Sequence, residues 1–293
     1  MTQHSKPRTA IPANATDCHM HVFGDLETYP PAAKRSYTPA PASLEDYLAM
    51  CDAVGLRRNV FVTASAHGTD NRCMLDAMHL RGNLSRGVAV IGDATTNSEL
   101  SEMADLGVKG VRVNAATFGI TDINVIADEL NHTIARVGPF AMHVQLFAPL
   151  PMIDALADTI AKAKVPVVID HMGLPTTRLD LDQPGFETLC RLLQNGHVWV
   201  KVAGTYRVSA SETDFTDATP FARTLVECAP KRCVWGSDWP HTGHHKQAFQ
   251  SGPPVIEYRK LDDGYLLDLL ADATTPEIFR RVLVENPAEL YGF

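Results

Sequence analysis

The sequence lacks a long apolar run and an excess of positive charge. No stretch of its 293 residues approaches the roughly 20 continuous apolar residues of a membrane span, and the first fifteen residues contain no apolar signal core. The 34 Asp and Glu residues outnumber the 26 Lys and Arg residues. Because nucleic acids and anionic membranes are normally bound by a net basic face, we expect neither as a partner.

Paired cysteines are also missing. The six cysteines are scattered along the chain without a Cys-x-x-Cys pair, which is typical of free thiols in a reducing compartment. We therefore predict a cytoplasmic protein, a monomer or small homo-oligomer, whose partner is a small molecule. Residues 1–14 are predicted to be a flexible N-terminal lead-in, and residues 15–293 a single domain.

Short apolar segments alternate with stretches of helical periodicity along the whole chain. Near-continuous apolar strands such as VPVVID are typical of a parallel sheet that is covered on both faces. Eight such units predict an α/β fold of the (β/α)8 TIM-barrel type. An open doubly wound sheet is the alternative, but no G-x-G-x-x-G follows the first strand. The predicted strands are residues 16–23, 58–64, 86–92, 108–113, 139–146, 166–171, 197–203 and 232–237.

Polar side chains stand at the C-terminal end of nearly every predicted strand. His19 and His21 end the first strand, and side-chain alternation places both imidazoles on the same face, the barrel interior. Catalytic groups of (β/α)8 enzymes lie at this end of the barrel. We therefore expect these two histidines to share one active site with a larger set of residues. That set is Ser65, His67, Arg112, Gln145, His171, Lys201, Arg207, Asp238 and His241.

The residue types in this set indicate hydrolysis. Asp238 stands near histidines and suits the role of a general base that activates water. The imidazoles of His19, His21 and His171 are able to bind a divalent metal, to polarise a carbonyl, or to do both. No G-x-S-x-G elbow is present, so a serine nucleophile is not expected.

Three cations in the set point to an anionic substrate. Arg112, Lys201 and Arg207 suit a carboxylate or another oxyanion, and arginine does so best when the contact is bidentate. We therefore predict hydrolysis of a small anionic ester, amide or lactone, in a mouth that is locally basic although the chain as a whole is acidic.

At these residues the chain resembles the amidohydrolase superfamily, and more narrowly its lactonase branch. That branch contains 2-pyrone-4,6-dicarboxylate lactonase, 4-sulfomuconolactone hydrolase and galactarolactone isomerase. The resemblance extends from about residue 14 to the end of the chain. It rests on HMH at residues 19–21, IDHMG at 169–173 and VWGSDWPH at 234–241, with support from HVFG at 21–24, SAHGTDN at 65–71 and ENPAELY at 285–291.

The resemblance implies a distorted (β/α)8 barrel in which Asp238 deprotonates water for attack on a lactone carbonyl. It implies that His19, His21 and His171 polarise that carbonyl. The lactonases of this branch that act on dicarboxylates are described as working without a bound metal, unlike most of the superfamily. The positions that resemble the family's contacts with the substrate anion are Tyr37, Ser65, His67, Arg112 and Arg207.

Three departures from the pyrone lactonase affect the expected substrate. Phe118 and Leu174 stand where that enzyme has arginines, and Gln145 stands where it has a tyrosine. Losing two cations and a phenol disfavours a planar pyrone dicarboxylate, because a buried unpaired carboxylate is costly. We therefore expect a 4-sulfomuconolactone-type substrate from aromatic catabolism. The alternatives are 2-pyrone-4,6-dicarboxylate hydrolysis and isomerisation of an aldaric-acid lactone.

The predicted cofactor is either none or one zinc ion. His19, His21, His171 and Asp238 form a stereochemically possible mononuclear site. A binuclear centre is not expected, because the fourth strand ends in Arg112 rather than in a bridging lysine or glutamate. His241 follows Pro240 at the same face, where we expect it to orient Asp238 or to contact the substrate.

Overall fold

Eight parallel strands form the barrel that the alternating sequence pattern predicts. The computed structural model describes residues 4–243 and 250–293. Each strand is hydrogen-bonded to the next one along the chain. The strands are β1 (Thr16–Met20), β2 (Arg58–Val62), β3 (Ser85–Ala89), β4 (Val108–Asn114), β5 (His143–Phe147), β6 (Val167–Ile169), β7 (Val198–Lys201) and β8 (Cys233–Val234).

Backbone hydrogen bonds between the last and first strands close the barrel. The Cys18 amide donates to the Trp235 carbonyl over 2.8 Å, and the His21 amide donates to the Trp239 carbonyl over 2.9 Å. In the other direction, the Asp238 amide donates to the carbonyl of His19 over 2.8 Å. The segment that carries Asp238 is therefore fixed directly against β1.

The barrel interior is packed with side chains. Cys18, Val88, Val168 and Trp199 belong to one buried cluster drawn from six strands, and such side chains can meet only inside the barrel. Tyr291 closes the end where the strands begin, with its ring centroid 5.4 Å from that of His143. The opposite end, where the strands terminate, is left for the polar residues.

Helices follow the strands and cover the outside of the barrel. None in the described part of the chain has the length and apolarity to cross a bilayer. The helices are α1 (Leu44–Val54), α2 (Arg72–Arg81), α3 (Asn97–Asp105), α4 (Ala115–Phe118), α5 (Ile123–Val137), α6 (Leu150–Ala155), α7 (Ala157–Ala161), α8 (Phe186–Leu193), α9 (Thr205–Val208), α10 (Thr219–Cys228), α11 (Asp263–Ala273), α12 (Pro276–Arg280) and α13 (Asn286–Tyr291); a π-helical turn, Arg281–Glu285, joins the last two.

Helix α11 packs against the N-terminal segment of the chain. The Asp262 side chain caps it by accepting from the Gly264 amide. The N-terminal segment lies against it: the Ser5 hydroxyl donates to Asp262 over 2.6 Å, and Arg8 Nε donates to Asp268 over 3.0 Å. The described part of the predicted lead-in, from His4 onward, is thus held by hydrogen bonds to the barrel.

Two long loops meet over the open end of the barrel. Lys34–Arg35 pairs antiparallel with Gln250–Ser251, and Thr38–Pro39 pairs parallel with Val255–Ile256. This pairing fixes the backbone on either side of Tyr37, which is buried. The first loop therefore delivers a side chain to the site.

Candidate active site

A small cavity of about 40 Å³ lies at the C-terminal end of the strands. Its walls come from the ends of β1, β2, β4, β6, β7 and β8 and from the segments that follow them. Of the residues that the sequence predicts for the site, seven line this cavity: His21, Tyr37, Ser65, Arg112, His171, Arg207 and Asp238; Thr117 and Thr242 complete it.

Asp238 is fully buried, and its two carboxylate oxygens have different surroundings. Oδ2 accepts a hydrogen bond of 2.6 Å from the Tyr206 hydroxyl and another from Arg207 Nε. Oδ1 has no hydrogen-bond partner among the described residues. It lies 3.8 Å from His19 Nε2 and 3.7 Å from His21 Nε2. One oxygen of Asp238 is therefore anchored, and the other is available to a substrate, a water molecule or a metal.

Burial and nearby cations act in opposite directions on Asp238. Burial alone would raise the pKa of its carboxyl, but Arg207, followed by His171, lowers it by more, so that the pKa lies well below its usual range. The carboxylate is consequently ionised at neutral pH. Its backbone has φ of 62°, a left-handed conformation that is uncommon outside glycine and is often found at functional sites.

The histidines around Asp238 are neutral. Burial lowers the pKa of His21 and of His171 to about 4, and it lowers the pKa of His19 to well below its usual range. The carbonyl of Val62 lies 2.7 Å from His21 Nδ1 and must accept a proton from it, so His21 Nε2 carries the lone pair. His171 Nε2 lies 4.0 Å from Asp238 Oδ2.

A second buried carboxylate, Asp170, organises a charged network beneath the cavity. Its Oδ2 accepts from Arg112 Nε over 3.1 Å and from Gln145 Nε2 over 2.9 Å. Its Oδ1 lies 3.3 Å from His19 Nδ1 and 3.6 Å from Lys201 Nζ. Lys201 also donates to Gln145 Oε1 over 2.6 Å. Burial would raise the pKa of Asp170, but His19, Lys201 and Arg112 hold it well below its usual range.

Four residues predicted to contact substrate lie away from the cavity lining. Lys201 and Gln145 are fully buried in the network below it. His67 is buried with its ring centroid 5.5 Å from that of Phe23. His241 Nε2 lies 3.1 Å from Asp263 at the start of α11, while its backbone amide donates to the Asp238 carbonyl. His241 thus anchors the loop that carries Asp238; His244 and His245 lie outside the described residues.

Two residues that touch Asp238 or the histidines were not among the predicted site residues. Asp170 immediately precedes His171 at the end of β6, and its acidic side chain at a strand end was the signal that could have found it. Tyr206 lies beside Arg207 in α9 and reaches the carboxylate only because that helix begins at Gly204, which has φ of 68°. No sequence pattern marks this turn as part of the site.

The residues at the centre of the site fit one divalent cation. Among the described residues, ligand atoms of His19, His21 and Asp238 lie within 4.8 Å of one another. His19 Nε2 and Asp238 Oδ1 are buried without a hydrogen-bond partner there. Two imidazoles and a carboxylate are ligands that zinc prefers. A second set replaces His21 and Asp238 by Asp170 and His171. It is weaker, because the Lys201 ammonium lies 3.6 Å from Asp170 Oδ1 and 3.2 Å from His19 Nδ1 and would repel a dication.

The chain matches a known protein family and named relatives along nearly its whole length. The model of the amidohydrolase family matches residues 16–293. The chain is 37% identical to a 4-sulfomuconolactone hydrolase of Rhizobium radiobacter over 97% of its length and 91% of that protein. It is 35% identical to a 2-pyrone-4,6-dicarboxylate hydrolase of Comamonas testosteroni over 98% of its length and 93% of that protein.

A solved structure shows the same fold. The crystal structure of a putative 2-pyrone-4,6-dicarboxylic acid hydrolase from Pseudomonas putida has a TM-score of 0.77 and 30% identity, covering 96% of this chain and 98% of that one. The resemblance read from the HMH, IDHMG and VWGSDWPH segments is thereby confirmed. With a matching family model over nearly its whole length and two relatives above one third identity, the chain belongs to the amidohydrolase family.

Proposed function

We propose that this protein hydrolyses a small anionic lactone to the ring-opened acid. The observation that carries the proposal is the asymmetry of Asp238: Oδ2 is held by Tyr206 and Arg207, whereas Oδ1 lacks a partner among the described residues and faces His19 and His21. A carboxylate held in this way is a positioned general base for water. The relatives named as lactone hydrolases support the reaction class.

In the proposed reaction, Asp238 Oδ1 accepts a proton from water as the water oxygen attacks the lactone carbonyl. The tetrahedral intermediate then expels the ring oxygen as the acyl C–O bond breaks, and the proton on Asp238 passes to that oxygen. The low pKa of Asp238 in the free protein makes it a weak base. A substrate anion bound by Arg207 would raise that pKa, because it adds negative charge beside the carboxylate. Substrate binding and base strength are therefore coupled through one guanidinium group.

The histidines are proposed to act at the reacting groups, and the remaining polar residues are proposed to bind the substrate anion. His171 lines the cavity and is proposed to polarise the carbonyl and stabilise the oxyanion that develops on it, with His19 behind it. His21 Nε2 carries a lone pair in the neutral ring, so it is proposed to accept a hydrogen bond from the attacking water rather than to polarise the carbonyl. Tyr37, Ser65 and Arg112 line the same cavity and are proposed to bind the carboxylate or sulfonate. A zinc ion bound by His19, His21 and Asp238 would supply Lewis acidity.

Within this class we favour a substrate of the 4-sulfomuconolactone type. Phe118 contributes no positive charge to the site, and Gln145 is bonded to Asp170 and Lys201 rather than lining the cavity. A planar pyrone, whose two carboxylates stand on different ring carbons, would lack a cation for one of them, whereas the sulfonate and the carboxymethyl group of 4-sulfomuconolactone share one ring carbon. Hydrolysis of 2-pyrone-4,6-dicarboxylate and isomerisation of galactarolactone are the alternatives that the experiment must separate.

A lactone panel tests the proposal. 4-Sulfomuconolactone, muconolactone, 2-pyrone-4,6-dicarboxylate and galactarolactone are each incubated with the protein, products are identified by NMR, and metal content is measured on the same sample. A ring-opened acid is expected. A rearranged lactone would show isomerisation instead, and no conversion of any lactone would overturn the proposal.

The Asp238→Asn variant tests the assigned base. Because general base catalysis contributes about 100- to 10,000-fold, kcat should fall by that factor, while product binding measured by calorimetry is retained. Asp158→Asn is the matched control, since that side chain is 93% exposed. Near wild-type turnover by Asp238→Asn would remove Asp238 from the mechanism.

A further inference from the structure

A second cavity, of about 340 Å³, adjoins the catalytic cavity and has no part in the chemistry described above. Ser65 and Arg112 line both cavities. Sites for small molecules usually measure about 300–1,000 Å³, a range that includes the second cavity but not the 40 Å³ of the catalytic one. A lactone whose ester lies beside Asp238 must therefore extend past Arg112 into this side cavity.

The walls of the side cavity are mainly apolar. They come from the end of β3, from α4 and the turn after it, and from the first turn of α5. The apolar lining residues are Val90, Ile91, Val113, Phe118, Ile120, Val125 and Ile126.

Only two charged residues are among the described residues that line the side cavity. Arg112 stands where the side cavity meets the catalytic cavity. The second charged residue is the exposed Glu129. A second anionic group in the side cavity would meet the carboxylate of Glu129. The part of a ligand that lies there is therefore expected to be uncharged.

Arg112 is placed to hold an anion at the junction. Its Nε donates to Asp170, and its guanidinium carbon lies 4.9 Å from the centre of the Phe147 ring. No hydrogen bond joins its terminal nitrogens to any residue within 4–243 or 250–293. Because a buried guanidinium needs acceptors for its donors, these nitrogens face the space where a substrate anion would lie.

We propose that the substrate carries an uncharged apolar arm, alkyl or aryl, that fills the side cavity while its anionic group pairs with Arg112 and its ester lies beside Asp238. The inference rests on the proposed lactonase function and narrows the substrate to relatives of 4-sulfomuconolactone in which an alkyl or aryl group replaces one of the two anionic groups. Specificity then comes from Phe118, Ile120 and Val125, which touch the arm and not the reacting atoms.

A chain-length series tests this assignment. Carboxymethyl butenolides that carry no substituent or an unbranched alkyl group of two, four or six carbons are compared by kcat/KM. Each buried methylene contributes about 0.8 kcal/mol, which is about a three- to fourfold gain in kcat/KM. We expect the four-carbon lactone to exceed the unsubstituted one by at least about tenfold.

Filling the side cavity should abolish that preference. Val125 is 50% exposed at its wall, so Val125→Trp places an indole there with little risk to the fold. The ratio of kcat/KM between the four-carbon and unsubstituted lactones should fall below about two. Ile120→Phe provides a second, smaller filling. Leu80→Trp, at a position 77% exposed and not part of either cavity lining, should keep the wild-type ratio.

Failure of this inference differs from failure of the proposed function. If wild-type protein opens the unsubstituted lactone and loses activity as the alkyl group lengthens, the proposal of an apolar arm is wrong. The proposed lactonase function is then still supported. If no lactone is opened, the proposed function is wrong. Calorimetry with 2-alkylsuccinates then tests separately whether the side cavity binds an alkyl chain. A Kd that tightens with chain length only in wild type supports the inference; a Kd independent of length overturns it.

Discussion

The two buried carboxylates at the end of the barrel differ in what faces the oxygen that accepts no hydrogen bond. Asp170 Oδ2 accepts from Arg112 and Gln145, and its Oδ1, which has no hydrogen-bond partner among the described residues, lies 3.6 Å from the Lys201 ammonium and 3.3 Å from His19 Nδ1. Asp238 Oδ1 also lacks a hydrogen-bond partner there, but it faces the neutral imidazoles of His19 and His21. The first arrangement stabilises a network, and the second leaves a reactive group. Although both carboxylates end barrel strands, only the three-dimensional surroundings assign their roles.

Asp170→Asn should destabilise the protein strongly. The substitution removes the negative charge between Arg112 and Lys201, and breaking a buried ion pair by removing one partner costs about 3–5 kcal/mol. Urea unfolding should show a lower midpoint with an unchanged slope. The double variant Asp170→Asn, Lys201→Met should recover part of the loss, because it also removes a buried cation. An unchanged midpoint in the single variant would contradict the structural role of Asp170.

At the scale of elements, the turns after the strands determine where the site residues lie. Gly204 starts α9 in a left-handed conformation, and α9 brings both Tyr206 and Arg207 to Asp238. A Cβ at Gly204 would lie 2.7 Å from His171 Nδ1. This close approach joins the turn after β7 to the turn after β6.

Gly204→Ala should therefore damage activity more than stability alone explains. A displacement of about 1 Å at an active site can cost about 100-fold in rate, and we expect a fall in kcat of about 10- to 100-fold. Gly196→Ala is the matched control, because Gly196 also has a positive φ, of 80°, but has no atom within 4 Å of the added Cβ. Comparing kcat and urea midpoints of the two variants separates the contact from the backbone strain. Equal kcat values would show that the contact with His171 does not matter.

The barrel strands were predictable because their signal is local, whereas several site contacts were not. Each strand shows its own apolar run, and the polar residue that follows is visible in the sequence. His241 lies against Asp263 only because α11 docks there. The sequence does not mark where this helix begins, since Gly264, a poor helix former, stands in its first turn. The sequence also could not predict that Lys201 and Gln145 lie beneath the cavity. A position at a strand end does not indicate whether a side chain lines the cavity or lies below it.

The chain as a whole has a net charge of -8, whereas the positive and negative charges within the site nearly cancel. The sequence predicted a basic mouth from Arg112, Lys201 and Arg207. The structure pairs them with Asp170 and Asp238, which leaves three cations against two carboxylates. A substrate anion therefore meets a small positive excess rather than a strongly basic surface.

Buried histidines should make the stability of the whole protein depend on pH. Burial lowers the pKa of His21 and His171 to about 4 and of His143 to about 3, and it places that of His19 well below its usual range. Since the unfolded chain protonates these rings near pH 6.5, it binds more protons than the folded protein between pH 6.5 and about 4. Stability is therefore lost as the pH falls through this window. Asp17 opposes the loss, because burial raises its pKa to about 6.

Urea unfolding at pH 8, 6 and 5 measures this dependence. Burial also lowers the pKa of His67, so five histidines minus Asp17 leave a net difference of at most four protons. This sets an upper limit of about 5 kcal/mol per pH unit on the loss of unfolding free energy. His143→Gln should reduce the slope by about one proton, since it removes a ring that is neutral when folded and charged when unfolded. His79→Gln, at an exposed position, is the matched control. A midpoint that stays constant from pH 8 to pH 5 would mean that these histidines already carry their protons in the folded barrel, and the neutral imidazoles assigned to the site would then be wrong.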